Sequence, residues 1–244
     1  MQNFSKAIAA MMLTVAVCFA AGCRKPDEPN NGGNNNGGNV SNNLNGHDYV
    51  DLGLPSGTLW AICNVGATTP EDYGDYYAWG ETEPKTTYNW NTYKYANGDY
   101  AQLTKYCNKI SCGYNGFTDN LTILLSEDNA ATVNWGVGWR IPTKDEWQEL
   151  YNNTTVTWTM QNEVNGLLFT ARNGRSLFLP AAGCHLGEEI SEASDYGEYW
   201  SSLLYTDWPE YAWCFCFDSG DTGMDYYVRY CGRTVRPVCS MAKN

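Results

Sequence analysis

Gly138-Trp139-Arg140-Ile141-Pro142-Thr143-Lys144-Asp145-Glu146-Trp147 decides how this chain is read. Thr143 followed three residues later by Glu146 is the signature of a helix start closed by reciprocal side-chain and backbone hydrogen bonds. Trp147, Leu150 and Tyr151 then recur at the i, i+3, i+4 spacing of an apolar helix stripe. Downstream come Phe178-Leu179-Pro180-Ala181-Ala182-Gly183, Tyr199-Trp200-Ser201-Ser202 and Val235-Arg236-Pro237-Val238-Cys239. Upstream stand His47-Asp48-Tyr49-Val50-Asp51-Leu52-Gly53-Leu54-Pro55-Ser56-Gly57, Cys63-Asn64-Val65-Gly66-Ala67, Tyr77-Ala78-Trp79-Gly80-Glu81-Thr82 and Glu127-Asp128-Asn129-Ala130-Ala131.

This ordered series, covering His47 to Cys239, resembles the Fibrobacter succinogenes major paralogous domain, a C-type-lectin-like branch related to the sulfatase-modifying, formylglycine-generating fold. The resemblance implies an α+β, C-type-lectin-like domain: a twisted, mainly antiparallel sheet with two short helices and long aromatic loops. The residues themselves predict the same mixture. Beyond the helix at Thr143, Glu127 to Trp135 reads as a short helix started by Ser126. Asn165-Gly166 and Asn173-Gly174 make Thr155 to Pro180 a three-stranded meander, because such dipeptides favour two-residue hairpin turns. Ala212 to Phe217 and Tyr226 to Arg236 read as further strands.

The N-terminus predicts export. Lys6, an apolar run from Ala7 to Ala21, and Phe19-Ala20-Ala21-Gly22-Cys23 make residues 1–22 a lipoprotein-type signal with Cys23 as the lipid-bearing first mature residue. The run is too short for a comfortable membrane span. A diacylated cysteine gives stable anchoring, so the protein is expected on the cell envelope, at the outer membrane and surface-exposed. Residues 23–46 read as a tether, since Arg24 to Gly46 holds nine asparagines and five glycines and cannot bury enough apolar surface to order itself. Its coil reach is roughly 25–30 Å. Glu28-Pro29-Asn30, which imitates the sugar-binding tripeptide of C-type lectins, falls in this tract rather than in the domain. All ten tryptophans lie after residue 59, so one domain is expected over 47–239, with 240–244 as a tail.

Removing residues 1–22 deletes one lysine and no acid, leaving 14 basic and 27 acidic side chains and a formal charge of −13. Such a surface repels phosphate backbones and anionic bilayers, which excludes nucleic acid as a partner and leaves the lipid as the membrane contact. Eight cysteines remain in the domain, an even count that suggests disulfides in an exported protein. At least two are expected: Cys107 and Cys112 could close a short loop, and Cys63 with Cys239 would bracket the domain. Cys214 and Cys216 are not expected to pair, because alternate strand residues stand farther apart than bonded cysteines. A thiolate metal site from Cys184 or His185 with Cys214, Cys216 and Cys231 is a lesser alternative, as no paired C-x-x-C occurs.

Catalytic signals are thin. His47 and His185 are the two histidines, and no metalloprotease helix, nucleophile elbow or nucleotide-binding glycine loop occurs. Asp195, Glu198, Asp218, Asp221 and Asp225 could offer oxygen ligands to calcium, but without a recognised loop spacing. Formylglycine-generating enzymes carry a cysteine pair separated by four residues near their C-terminal strands. Here that stretch reads Trp213-Cys214-Phe215-Cys216-Phe217, so the chemistry does not transfer with the fold. The period-two rule sets Trp213, Phe215 and Phe217 on one strand face and the two cysteines on the other, looking out or lying under a loop. The stretch from Tyr199 to Cys239 also resembles the variable region of retroelement-diversified lectin-like proteins. These features predict a non-catalytic binding face built from Leu204, Trp208, Tyr211, Met224, Tyr226, Tyr227 and Arg233, with a glycan or protein as ligand. The alternatives are an exported enzyme of the sulfatase-modifying type and a structural subunit of a surface assembly.

Overall fold

The computed structural model describes residues 42–240. The signal segment, Cys23, the Glu28-Pro29-Asn30 tripeptide and residues 241–244 lie outside the described residues. The folded region begins before the composition changes. Asn43–Leu44 (β1) pairs antiparallel with His47–Val50 (β2). Between them Asn45 and Gly46 have φ values of 52° and 86°, as a type I′ hairpin requires. The tether boundary at residue 46 is therefore corrected. Asn45 donates from Nδ2 to the carbonyls of Trp135 and Val137, and the Leu44 carbonyl accepts from the Trp139 indole, so this hairpin is tied to the body of the domain.

Thr58–Ala61 (β3) is buried along its whole length between β2 and the last strand, in which Val238 stands opposite Trp60. From Ile62 to Leu125 the chain forms isolated bridges, turns and two 3-10 helices, Ile110–Cys112 and Tyr114–Gly116, and tyrosine hydroxyls help to hold it. Tyr76 donates to the Ala182 carbonyl at 2.6 Å, Tyr93 to the Trp79 carbonyl at 2.7 Å and Tyr106 to the Asp128 carboxylate at 2.6 Å.

The helix expected over 127–135 is broken. Ser126–Asp128 is a 3-10 turn, Asn129 is extended, and only Ala130–Trp135 (α1) is α-helical. The reason is Asn129: its side chain caps Thr132 and also accepts from the Ile141 backbone at 3.0 Å, which it cannot do from inside a helix. Lys144–Asn153 (α2) starts as predicted, with both halves of the Thr143/Glu146 capping box formed. Trp147 and Leu150 are buried, whereas Tyr151 is 42% exposed and sits on the rim of the stripe.

Glu146 also takes two hydrogen bonds from the Arg140 guanidinium, at 2.6 and 2.5 Å. Burial pushes its carboxyl up, but Arg140, the Thr143 backbone and Thr58 outweigh burial and hold it below the usual carboxylate range. A depressed folded pKa stabilises above the unfolded value, near 4.3, and that contribution is lost as pH falls through the folded value. Glutamine preserves the capping box, so Glu146→Gln is expected to cost about 1–2 kcal/mol at pH 7 through the charge alone. The gap between variant and wild type, read from urea midpoints, should close below about pH 4.

The meander follows: Thr154–Gln161 (β4), Val164–Ala171 (β5) and Ser176–Pro180 (β6) are antiparallel in that order. Asn173-Gly174 lies in the second turn as expected. The first turn is Asn162-Glu163, with φ of 48° and 68°, and Asn165-Gly166 lies inside β5. Gly166 is needed there for close approach, since a β-carbon would meet the Leu179 carbonyl oxygen at 2.2 Å. A small pair, Cys184–Leu186 (β7) and Glu189–Ser191 (β8), precedes the sheet of Gly197–Leu204 (β9), Tyr211–Phe217 (β10) and Thr222–Val228 (β11), with β10 central. The strand expected from Tyr226 to Arg236 stops at Val228, and Arg229 to Pro237 runs on as a buried loop into Val238–Ser240 (β12). The expected tail thus begins inside a strand.

Side chains of β9 and β10 alternate between two apolar cores. Tyr199, Phe215 and Phe217 join Trp60, Trp147 and Phe169 on the α2 side. Trp200, Leu204, Ala212, Cys214 and Cys216 join Trp79, Tyr106 and Trp139 on the other. Mainly antiparallel sheets with two short α-helices agree with the α+β reading.

Candidate functional site: an aromatic face on the central sheet

Tyr205 leaves β9 into a tight turn, in which the Trp208 amide donates to the Tyr205 carbonyl and the Tyr211 amide to the Trp208 carbonyl. This brings the chain back as β10, whose register against β9 shifts between Ala212 and Cys214. The Tyr205 and Tyr226 rings stack at 3.9 Å and 7°, and the Trp213 ring stands edge-on to both, at 5.1 and 5.8 Å. Trp208 lies 5.7 Å from each tyrosine, and Tyr211 is 5.8 Å from Tyr226. Lys144, first residue of α2, holds its ammonium 3.4 Å above the Trp213 ring, where the face of the indole attracts a cation.

The cluster continues along the strands. Met224 is the cross-strand partner of Phe215, as Tyr226 is of Trp213, and beside it Gln148, Tyr151, Asn152, Phe215, Gly223 and Met224 line a shallow depression of about 230 Å³. Trp208 is 48% exposed and Tyr205, Tyr211, Trp213 and Tyr226 are half-buried, so each ring packs on a neighbour and keeps an edge toward solvent. Rings fixed in this way offer contact area with little rotamer entropy to lose on binding.

Of the seven residues expected in a binding face, Trp208, Tyr211, Met224 and Tyr226 come together here. Tyr227 follows Tyr226 in the strand and faces the other way, with its ring 4.4 Å from the Arg233 guanidinium. Leu204 and Arg233 are corrected: at 2% and 1% exposure they belong to the core, Arg233 beside Glu198 at 3.0 Å. Tyr205, Trp213 and Lys144 were not expected. Trp213 does share its strand face with Phe215, as the alternation predicts, but it lies beyond the edge of the core, and no sequence signal marks that edge.

No family model, curated protein or solved structure matches this chain. The remaining chemistry is therefore judged from geometry. His47 stacks on Trp135 at 3.8 Å, and His185 packs against Tyr88 and Tyr76, so both rings are used in packing. Burial lowers the pKa of each. The carboxylates weighed for calcium disperse: Glu198 faces Arg233, and Asp218 accepts from the amides of Gly220 and Asp221 to close the β10–β11 turn. Among the described residues no three His, Cys, Asp or Glu side chains are placed to hold a metal ion, and this corrects the thiolate-site alternative as well.

All eight cysteines among the described residues are thiols, so the expected bridges are corrected too. Cys107 donates to the Lys109 carbonyl and Cys112 to Glu210. Cys63 lies near Arg236 and Asp72, whereas Cys239 lies near Arg140. The two sulfurs that do approach are Cys214 and Cys216, 3.0 Å apart.

Proposed function

We propose that this chain is a non-catalytic binding protein of the bacterial cell envelope: a C-type-lectin-like domain, anchored through lipid on Cys23, that presents the aromatic face of β10 and β11 to a glycan or a protein. The observation that carries the reading is the Tyr205–Tyr226 stack with Trp208, Tyr211 and Trp213 packed around it at the surface. Buried aromatic residues are explained by stability. A cluster that keeps its edges wet, beside a shallow depression, has the composition of recognition surfaces, in which tryptophan and tyrosine anchor the contact. The resemblance at Gly138 to Trp147 and Val235 to Cys239 supports the lectin-like domain, and the Phe19-Ala20-Ala21-Gly22-Cys23 segment supports the anchor.

The variant Cys23→Ala supplies both a test of the anchor and a soluble probe. Its expected behaviour is loss of fatty-acid labelling and release from the membrane fraction. Applied to arrays of glycans and bacterial or host surface proteins, it is expected to select a ligand. Trp208→Ala and Lys144→Ala in that probe should then weaken binding by about 2 kcal/mol or more, roughly 30-fold, with the melting temperature within a few degrees of the parent. Normal binding by both variants, together with loss of binding on substitution between Asp72 and Tyr95, would move the site to the N-terminal loops.

A further inference from the structure

Cys214 and Cys216 point to the same side of β10, away from Phe215, and their sulfurs are about 1 Å farther apart than the roughly 2.05 Å of a disulfide. Alternate residues of a regular strand do not bring their side chains so close. Here the two sulfurs do approach, in a strand whose register against β9 shifts just before this stretch, between Ala212 and Cys214. Around them lie Arg233, Glu198 and Cys231. Arg233 is 1% exposed, and its Nε and Nη1 have no hydrogen-bond acceptor in proper alignment, although Glu198 is near. Arg233 is close enough to both Cys216 and Cys231 for its charge to act on their thiols. Access exists at one end. Cys216 is 8% exposed, and its cross-strand partner on the same face is Gly223, above whose α-carbon lies open space.

We propose that Cys214 and Cys216 form a reversible dithiol–disulfide couple that exchanges with an external disulfide. Cys216 loses its proton and its thiolate attacks one sulfur of the external disulfide. That sulfur–sulfur bond breaks, the first external thiolate leaves and takes up the proton, and a mixed disulfide remains on Cys216. Cys214 then loses its proton and attacks the Cys216 sulfur, and the second external thiolate leaves with that proton. The protein is oxidised by two electrons and two protons, and the external disulfide is reduced to two thiols.

Two properties follow from the surroundings. The hydrogen bond with Cys214 and burial both push the Cys216 thiol well above its ordinary value, so the reactive thiolate is scarce and exchange is slow. The bond also joins positions at the limit of disulfide geometry, which favours ready reduction. The couple is therefore a slowly set, reducible state of the central strand rather than a fast oxidoreductase or a permanent staple. It does not depend on the ligand of the aromatic face.

The test is a redox titration of the full chain in buffers of reduced and oxidised glutathione, followed by alkylation and digestion. Phe215 separates the two cysteines, so chymotryptic cleavage after it leaves Cys214-Phe215 joined to Cys216-Phe217 only where the bond is present. The expected result is that the joined product rises with the oxidised fraction and disappears with excess dithiothreitol, in wild type and in the Cys184→Ser and Cys231→Ser variants alike. Alkylation of Cys214 and Cys216 at every buffer ratio would overturn the proposal. So would a bond from either residue to Cys184 or Cys231 in their place.

Discussion

Glu198→Gln is expected to destabilise the domain by about 3–5 kcal/mol, because it leaves the Arg233 guanidinium buried without a counter-charge. The pair is enclosed, at 3% and 1% exposure, with Nε and Oε2 3.0 Å apart and the guanidinium 4.6 and 4.4 Å from the Trp200 and Tyr227 rings. Arg233→Met should cost a similar amount by stranding the carboxylate. Combining the two removes both charges from the same apolar surroundings, so the double variant is expected to lose much less than the sum. Urea midpoints of the four proteins decide it, and additive losses would show that the pair is not coupled.

Trp147→Ala is expected to cost about 3–5 kcal/mol as well, by a different route. Trp147 is fully buried, stacks on Phe215 at 4.9 Å and 3°, lies 4.7 Å from Trp60 and donates from its indole to the Trp200 carbonyl. Truncation leaves a cavity where α2, β3 and β10 meet, in a domain whose whole stability is typically about 5–15 kcal/mol. The melting temperature should fall by roughly 10 °C or more. Trp208→Ala, at the surface of the same sheet, provides the contrast, and an equal fall for both would contradict the separation of core from binding face.

What could be read in advance was local. The capping box at Thr143 and Glu146, the three strands before Pro180 and the opposed faces of β10 each depend on residues within a few positions of one another. Failures occurred where a residue type has two uses. Glycine after asparagine marks a turn at 173–174, yet in β5 Gly166 answers a steric demand from Leu179, which only the folded register creates. Arginine is normally a surface residue, so Arg233 looked like a ligand contact, but its partner Glu198 lies 35 positions earlier. Leu204 and Trp208 both entered the expected binding face, and the turn that follows Leu204 leaves one inside and one out. An even cysteine count carries no geometry, which is why bracketing positions suggested bridges that the fold does not bring together.

The pairing of β3 with β12 has a consequence for how such a chain is made. Arg236 donates to the Ala61 carbonyl across 175 positions of sequence, and Val238 stands opposite Trp60. Closing a loop of that length is entropically costly and slow, and the contacts that reward it do not exist until the final strand is present. A chain translated only as far as β11 still carries a β3 with one edge unpaired. Completion of the β3 edge is thereby deferred until β12 has been made, and a chain truncated before Val238 is expected to be open to proteolysis.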